Sequence, residues 1–195
     1  HTGMINGNEI NDYIVIGNSH DGSSSIFIGT STTLIRCANQ FASIQRDLSI
    51  RHSGEISLRF EEAINHYKTY YNQRDVMYEK FEEMSKIKID TKIIESLSDR
   101  LFDVDRVEII SGKSEISTRK QNQLDHFKGS LDREMTDLGS NLWGFFNAVT
   151  HYSTHVRGGE KSISEKNNSF GNVVGSNANF NEKANKIITK QLAMS

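Results

Sequence analysis

The sequence predicts an α+β fold in which a small antiparallel sheet, an N-terminal hairpin plus one strand, packs with several long helices. Two observations carry this. Apolar residues follow period two ahead of Ala38 and the three-to-four spacing of helices from there onward. Strands first and helices afterwards favour α+β over the alternating order of a parallel α/β sheet. At 195 residues the chain is long enough to bury a core, and it reads as one domain, 1–195.

Taken in order, Tyr13–Ile16 and Ser25–Ile28 are β-branched and aromatic runs joined by Asn18-Ser19-His20-Asp21-Gly22-Ser23. Asp-Gly between two such runs signals a hairpin, because the tight turn needs positive φ that these residues tolerate. Thr32–Cys37 reads as a third strand, Ala38–Leu48 as a short helix, and Ser49–Gly54 as a turn or strand. Glu55–Ile87 reads as one helix with a stripe of Phe60, Ile64, Tyr67, Tyr71, Tyr78, Phe81 and Met84 opposite Glu and Lys. Thr91–Phe102 is a shorter helix, followed by a polar link. Glu115–Leu138 returns to helical periodicity and Gly139-Ser140 ends it, with Ser140 or Asn141 as the cap of the next helix. Residues 158–179 are rich in Gly, Ser and Asn and read as a flexible loop. Asn181–Met194 reads as a short basic helix.

Asn141–Arg157 is the densest stretch. Leu142, Phe145, Val149 and Tyr152 share one helical face, while Asn147, Thr150, His151 and Thr154 share another, with His155 four residues after His151. Buried unpaired, such polar groups cost about 1–3 kcal/mol each, so they must find partners. The expected partners lie in the first 55 residues. The sheet of residues 10–55 is therefore expected to pack on the 141–156 helix, bringing His155 and Asn147 to Arg36 and Asp21, with the helices at 55–87 and 115–138 as an antiparallel pair.

No apolar run approaches the eighteen or so residues that span a bilayer, and no basic-then-apolar leader opens the chain. The expectation is a protein of the cytoplasm of a host cell, with no membrane partner. One cysteine, Cys37, excludes an internal disulfide and a multi-cysteine zinc cluster. Proline is absent, where ordinary usage would give about ten. Met4 follows His1-Thr2-Gly3, so those three residues read as an added leader or the end of a longer N-terminal region. The net charge is −2, yet six Lys/Arg against three Glu leave residues 151–195 at +3.

SHDG (Ser19–Gly22), RCANQ (Arg36–Gln40), RHSG (Arg51–Gly54), WGFFNAVTHYSTH (Trp143–His155) and SFG (Ser169–Gly171), in this order, resemble the phage/plasmid-like proteins of the family called domain of unknown function 932. The resemblance covers nearly the whole chain. Two features depart from it. The family usually has a further region before the hairpin, and it often carries Pro and Val where this chain has Thr33-Leu34-Ile35. The resemblance implies a mobile-element origin and no particular activity. It marks His20, Asp21, Arg36, Cys37, Asn39, His52, Asn147, Thr150 and His155 as candidates for a shared polar cluster.

Three functional classes stay open. Arg36, Arg51, Arg157, Lys183 and Lys186, with Arg46 and aromatics such as Trp143, Phe145, Phe146 and Tyr152, offer the phosphate neutralisation and base stacking that single-strand binders use. In that reading the chain is a mobile-element accessory protein that binds or anneals single-stranded DNA as a homo-oligomer. A second reading is an interaction factor acting on a host defence or replication protein. The third is a metal-dependent hydrolase or nuclease: His151 and His155 have the i, i+4 spacing of zinc ligands, with His20, Asp21 or His52 as a third. Tyr152 stands where that motif needs a general-base Glu, so no metal site is assigned. Cys37 beside Arg36 has the makings of an activated thiolate, although a lone strand cysteine is more often a small buried apolar residue.

Overall fold

A computed structural model describes residues 2–5, 7–17, 26–34, 39–40, 45–50, 56–157 and 176–195. It has the strands-then-helices order of an α+β protein. Its internal contacts gather into two compact units, His1–Phe81 and Glu82–Ser195.

The first unit holds a five-stranded antiparallel sheet: β1 (Thr2–Ile5), β2 (Asn8–Gly17), β3 (Ile26–Leu34), β4 (Asn39–Gln40) and β5 (Gln45–Ile50). The hairpin expected from Asp21-Gly22 is there as the β2–β3 pair, in register from Ile10↔Leu34 to Gly17↔Phe27. An additional strand precedes it. Ile5 pairs with Asn8 across Asn6-Gly7, with Gly7 at φ 79, the positive angle a two-residue hairpin turn requires. Residues 32–34 continue β3, so no separate third strand starts there. The helix expected over Ala38–Leu48 is also overturned. Among its described residues β4 pairs with Thr33 and Leu34, and β5 pairs with Ile26–Thr30 along the same edge of β3. The register slips beside Gly29, which faces Arg46 while Ile28 faces Leu48, leaving Asp47 as the extra residue of a bulge.

Helix α1 (Ile56–Lys86) runs 31 residues with no break, as its stripe predicted. Tyr78 ties it to the sheet. Its hydroxyl donates to Asp12 Oδ2 at 3.2 Å, and its ring lies so close to Gly3 that any Cβ there would overlap it. Ile5 and Ile10 are fully buried, and Phe81 is buried edge-on to Tyr78, whereas Ile64 of the expected stripe is half exposed.

The second unit is helical: α2 (Thr91–Phe102), α3 (Arg106–Ile110), α4 (Thr118–Leu138), α5 (Leu142–His151) with a π-helical continuation Tyr152–Val156, and α6 (Ser176–Leu192). Caps set the starts: the side chains of Asp90, Asp105, Ser117 and Asn141 each accept from backbone N–H groups of the first turn. Asp105 makes a helix of what reads as a polar link. Residues 158–175 of the expected loop lie outside the described residues, and 176–179 belong to α6.

Every residue of α5 is buried, which is why it is apolar nearly all round. Phe102, Phe127, Phe145, Tyr152 and Phe180 form the core around it, with ring centroids 5.3–5.7 Å apart in the contacting pairs. Asn141 makes the α4–α5 corner. Its Oδ1 accepts from Gly144 N at 2.8 Å, opening α5, and its Nδ2 donates to Leu138 O at 2.9 Å, closing α4. Asn141→Ala removes a cap worth about 1 kcal/mol and strands a buried carbonyl, so a loss of about 2 kcal/mol is expected in urea unfolding. A variant as stable as wild type would contradict this account of the corner.

Candidate functional site

Two polar constellations stand out in the helical unit, one inside it and one on its surface. The inner one lies along α5. Asn147, Thr150, His151 and Thr154 are all buried, as their spacing predicts. Much of their bonding is local. Asn147 Nδ2 donates to Trp143 O at 2.8 Å, and Thr150 Oγ1 donates to Asn147 O at 2.9 Å, each using a carbonyl one turn back.

His151 reaches across to α4. Its Nδ1 lies 3.0 Å from Ser130 Oγ and its Nε2 lies 3.2 Å from an Arg133 guanidinium nitrogen. A guanidinium can only donate, so Nε2 accepts, and Nδ1 carries the proton and donates to Ser130. Burial holds the imidazole neutral and lowers its pKa to about 4, with the neighbouring His155 and Arg133 charges pushing the same way. This is not the geometry of an activated serine, in which the imidazole accepts from the hydroxyl and donates to a carboxylate. Ser130 is also 2% exposed, with no route for a substrate. Both nitrogens of His151 being engaged, it has no lone pair to give a metal, and among the described residues no group of three metal-ligating side chains exists.

The outer constellation is a cleft of about 440 Å³ between the end of α2, the start of α4, Arg157 and the first turns of α6. Three cations line it, Lys120, Arg157 and Lys183, against one carboxylate, Asp103. Lys120 Nζ donates to the Asp103 main-chain carbonyl at 2.5 Å, and Lys183 Nζ pairs with Asp103 Oδ2 at 2.6 Å. The Arg157 guanidinium stacks 4.5 Å over the Phe180 ring, and its backbone N–H bonds to Tyr152 O at 2.7 Å, the five-residue step of the π-helical turn that aims it there. Burial pulls Arg157 below its ordinary pKa; Tyr152 opposes this and Arg119 adds to it. The guanidinium stays charged, and among the described lining residues Asp103 is the one carboxylate set against the three cations.

A family model described as Domain of unknown function (DUF932) matches residues 1–192. The chain belongs to this family. No curated protein and no solved structure matches this DUF932 member.

Of the residues marked from sequence, His20, Asp21, Arg36, Cys37, Arg51 and His52 lie outside the described residues. Asn39 sits in β4, paired with Leu34. Asn147 and Thr150 are buried in α5, but His155 is exposed, its ring 5.1 Å from that of His151. Trp143, Phe145, Phe146 and Tyr152 are at most 4% exposed, so they build the core and present no face to a base. Arg157 and Lys183 meet in the cleft, whereas Lys186 lies on the outer face of α6, bonded to Glu182 at 2.7 Å. Sequence reasoning missed Asp103, Lys120, Ser130 and Arg133. Ser130 had a signal, since it shares the three-to-four spacing of Phe127, Leu131 and Leu138 on α4.

Proposed function

We propose that this chain binds single-stranded nucleic acid through its phosphate backbone, as an accessory protein of a phage or plasmid working in the host cytoplasm, and that it does so as an oligomer. The observation that carries the reading is the cleft of Lys120, Arg157 and Lys183. It concentrates positive charge on a chain whose net charge is −2, and the resemblance to phage/plasmid-like proteins supplies the mobile-element context. Neutralising three phosphates of a single strand gives a salt slope of about −2, so affinity should fall roughly 20-fold between 50 and 200 mM salt. In an anisotropy titration with labelled oligothymidylate, Arg157→Ala is expected to weaken binding about tenfold and flatten the slope by about 0.7. Absence of binding at low salt defeats this reading.

One observation favours the protein-interaction alternative. Val107 and Ile110 on α3 are 78% and 86% exposed beside an open groove of about 570 Å³ whose walls include Ile94, Ile116 and Leu131. Exposed apolar surface of that kind marks partner sites. Cleavage of the oligonucleotide in the presence of a divalent cation would instead favour the nuclease reading.

A further inference from the structure

We infer that the Asp103 carboxylate is a built-in counterion of the cationic cleft, occupying the Lys183 ammonium that a ligand phosphate would take, so that phosphate binds by displacing it. The inference rests on the proposed anion-binding role of that cleft. Its basis is that Asp103 stands where the electrostatics of its own helix are against it. Its backbone is left-handed, at φ 54 and ψ 48, a conformation that Asp tolerates, so the conflict is one of charge. It also caps the C-terminus of α2, the negative end of the helix dipole, where a carboxylate is disfavoured and Gly or Asn is the usual choice.

The opposite mismatch faces it. Arg119 and Lys120 sit in the first turn of α4, at a positive dipole end that favours acids, and no acid is there. Residues that break a local rule on both sides of one cleft point to a shared purpose for the cleft. The ion pair itself is a soft one, since the Asp103 side chain is 78% exposed and therefore well solvated. A backbone phosphodiester carries one negative charge, as a carboxylate does, but successive phosphates of a strand can meet Lys183, Lys120 and Arg157 together, and a free phosphate adds further charge and acceptor oxygens.

Asp103→Asn tests this directly. Asn keeps the shape, tolerates the left-handed conformation and leaves the main-chain carbonyl for Lys120, so the fold should survive; a thermal melt checks that. Asp132→Asn is the charge-matched control, twelve residues and about 18 Å along α4 from Lys120. The probes are labelled oligothymidylate by anisotropy and inorganic phosphate by calorimetry. Asp103→Asn is expected to tighten oligothymidylate binding at least fivefold and steepen its salt slope by about 0.7, one further cation being released for the strand, while Asp132→Asn changes affinity less than twofold. Adding Lys183→Met should abolish the gain, which a purely structural effect of Asp103 would not do. If oligothymidylate binds but Asp103→Asn behaves like the control, the counterion inference fails and the strand-binding reading stands. If oligothymidylate does not bind but phosphate does, more tightly to Asp103→Asn, the inference stands and the cleft serves a small phosphate ligand. Binding of neither probe overturns both.

Discussion

Gly144→Ala is expected to destabilise the protein by about 3 kcal/mol, although alanine is the better helix former by about 1 kcal/mol. A Cβ at position 144 would stand 2.5 Å from the Gly139 carbonyl oxygen, a distance real side chains do not reach. That oxygen cannot easily retreat, because it accepts from Asn141 N at 2.8 Å. The alternative is to push α5 outward, and α5 is buried on every side. Overpacking against fixed backbone therefore outweighs the propensity gain. Urea unfolding decides between them: a Gly144→Ala midpoint at or above wild type would mean that the corner is looser than its geometry.

Acidification should cost the protein about 2 kcal/mol at pH 5, approaching about 3 kcal/mol near pH 4, through His151 alone. The sign follows from the direction of the shift. His151 is held neutral in the fold, with a pKa near 4 against an ordinary 6.5, so the unfolded chain takes up a proton that the folded chain refuses. The stabilisation is complete above about pH 6.5 and is lost as pH falls from there towards 4. Protonation would also strip Nε2 of the lone pair facing Arg133. The check is the difference between wild type and His151→Gln in unfolding free energy at pH 7.5 and pH 5. The variant begins less stable but lacks this portion of the acid slope, and parallel slopes for the two proteins would refute the assignment.

What could be read from the sequence follows how local the determining physics is. Helix α2 matches its expected bounds, and α1 and α4 begin within a few residues of theirs, because amphipathic spacing and capping side chains act within a turn or two. β5 was hidden because Phe41, Ile44 and Leu48 carry a helical spacing, while the alternation of Leu48 and Ile50 is too short to overrule it. Only the partner strand β3, far along the chain, decides the matter. The β1–β2 hairpin has a local signal in Asn6-Gly7, the dipeptide that tight hairpin turns favour. In the inner constellation, the polar face of α5 could be read but not its partners. Asn147 Nδ2 and Thr150 Oγ1 bond within their own helix and His151 finds Ser130 and Arg133 on α4, while Asp21 and Arg36, the partners expected from the sequence, lie outside the described residues. The cleft escaped notice because Lys120 and Asp103 each look like an ordinary surface charge until the chain brings them together.

Asn141 has a dynamic consequence. Two helix ends normally fray independently, each losing its terminal turn without disturbing the other. Here a single amide holds the last carbonyl turn of α4 with one atom and the first amide turn of α5 with another. Neither end can open without turning that amide and releasing its neighbour. The two helices therefore melt at this corner together, in one cooperative step that exposes Leu142 and Trp143 at the heart of the unit. This joins the permanence of the core to the integrity of one bend in the chain.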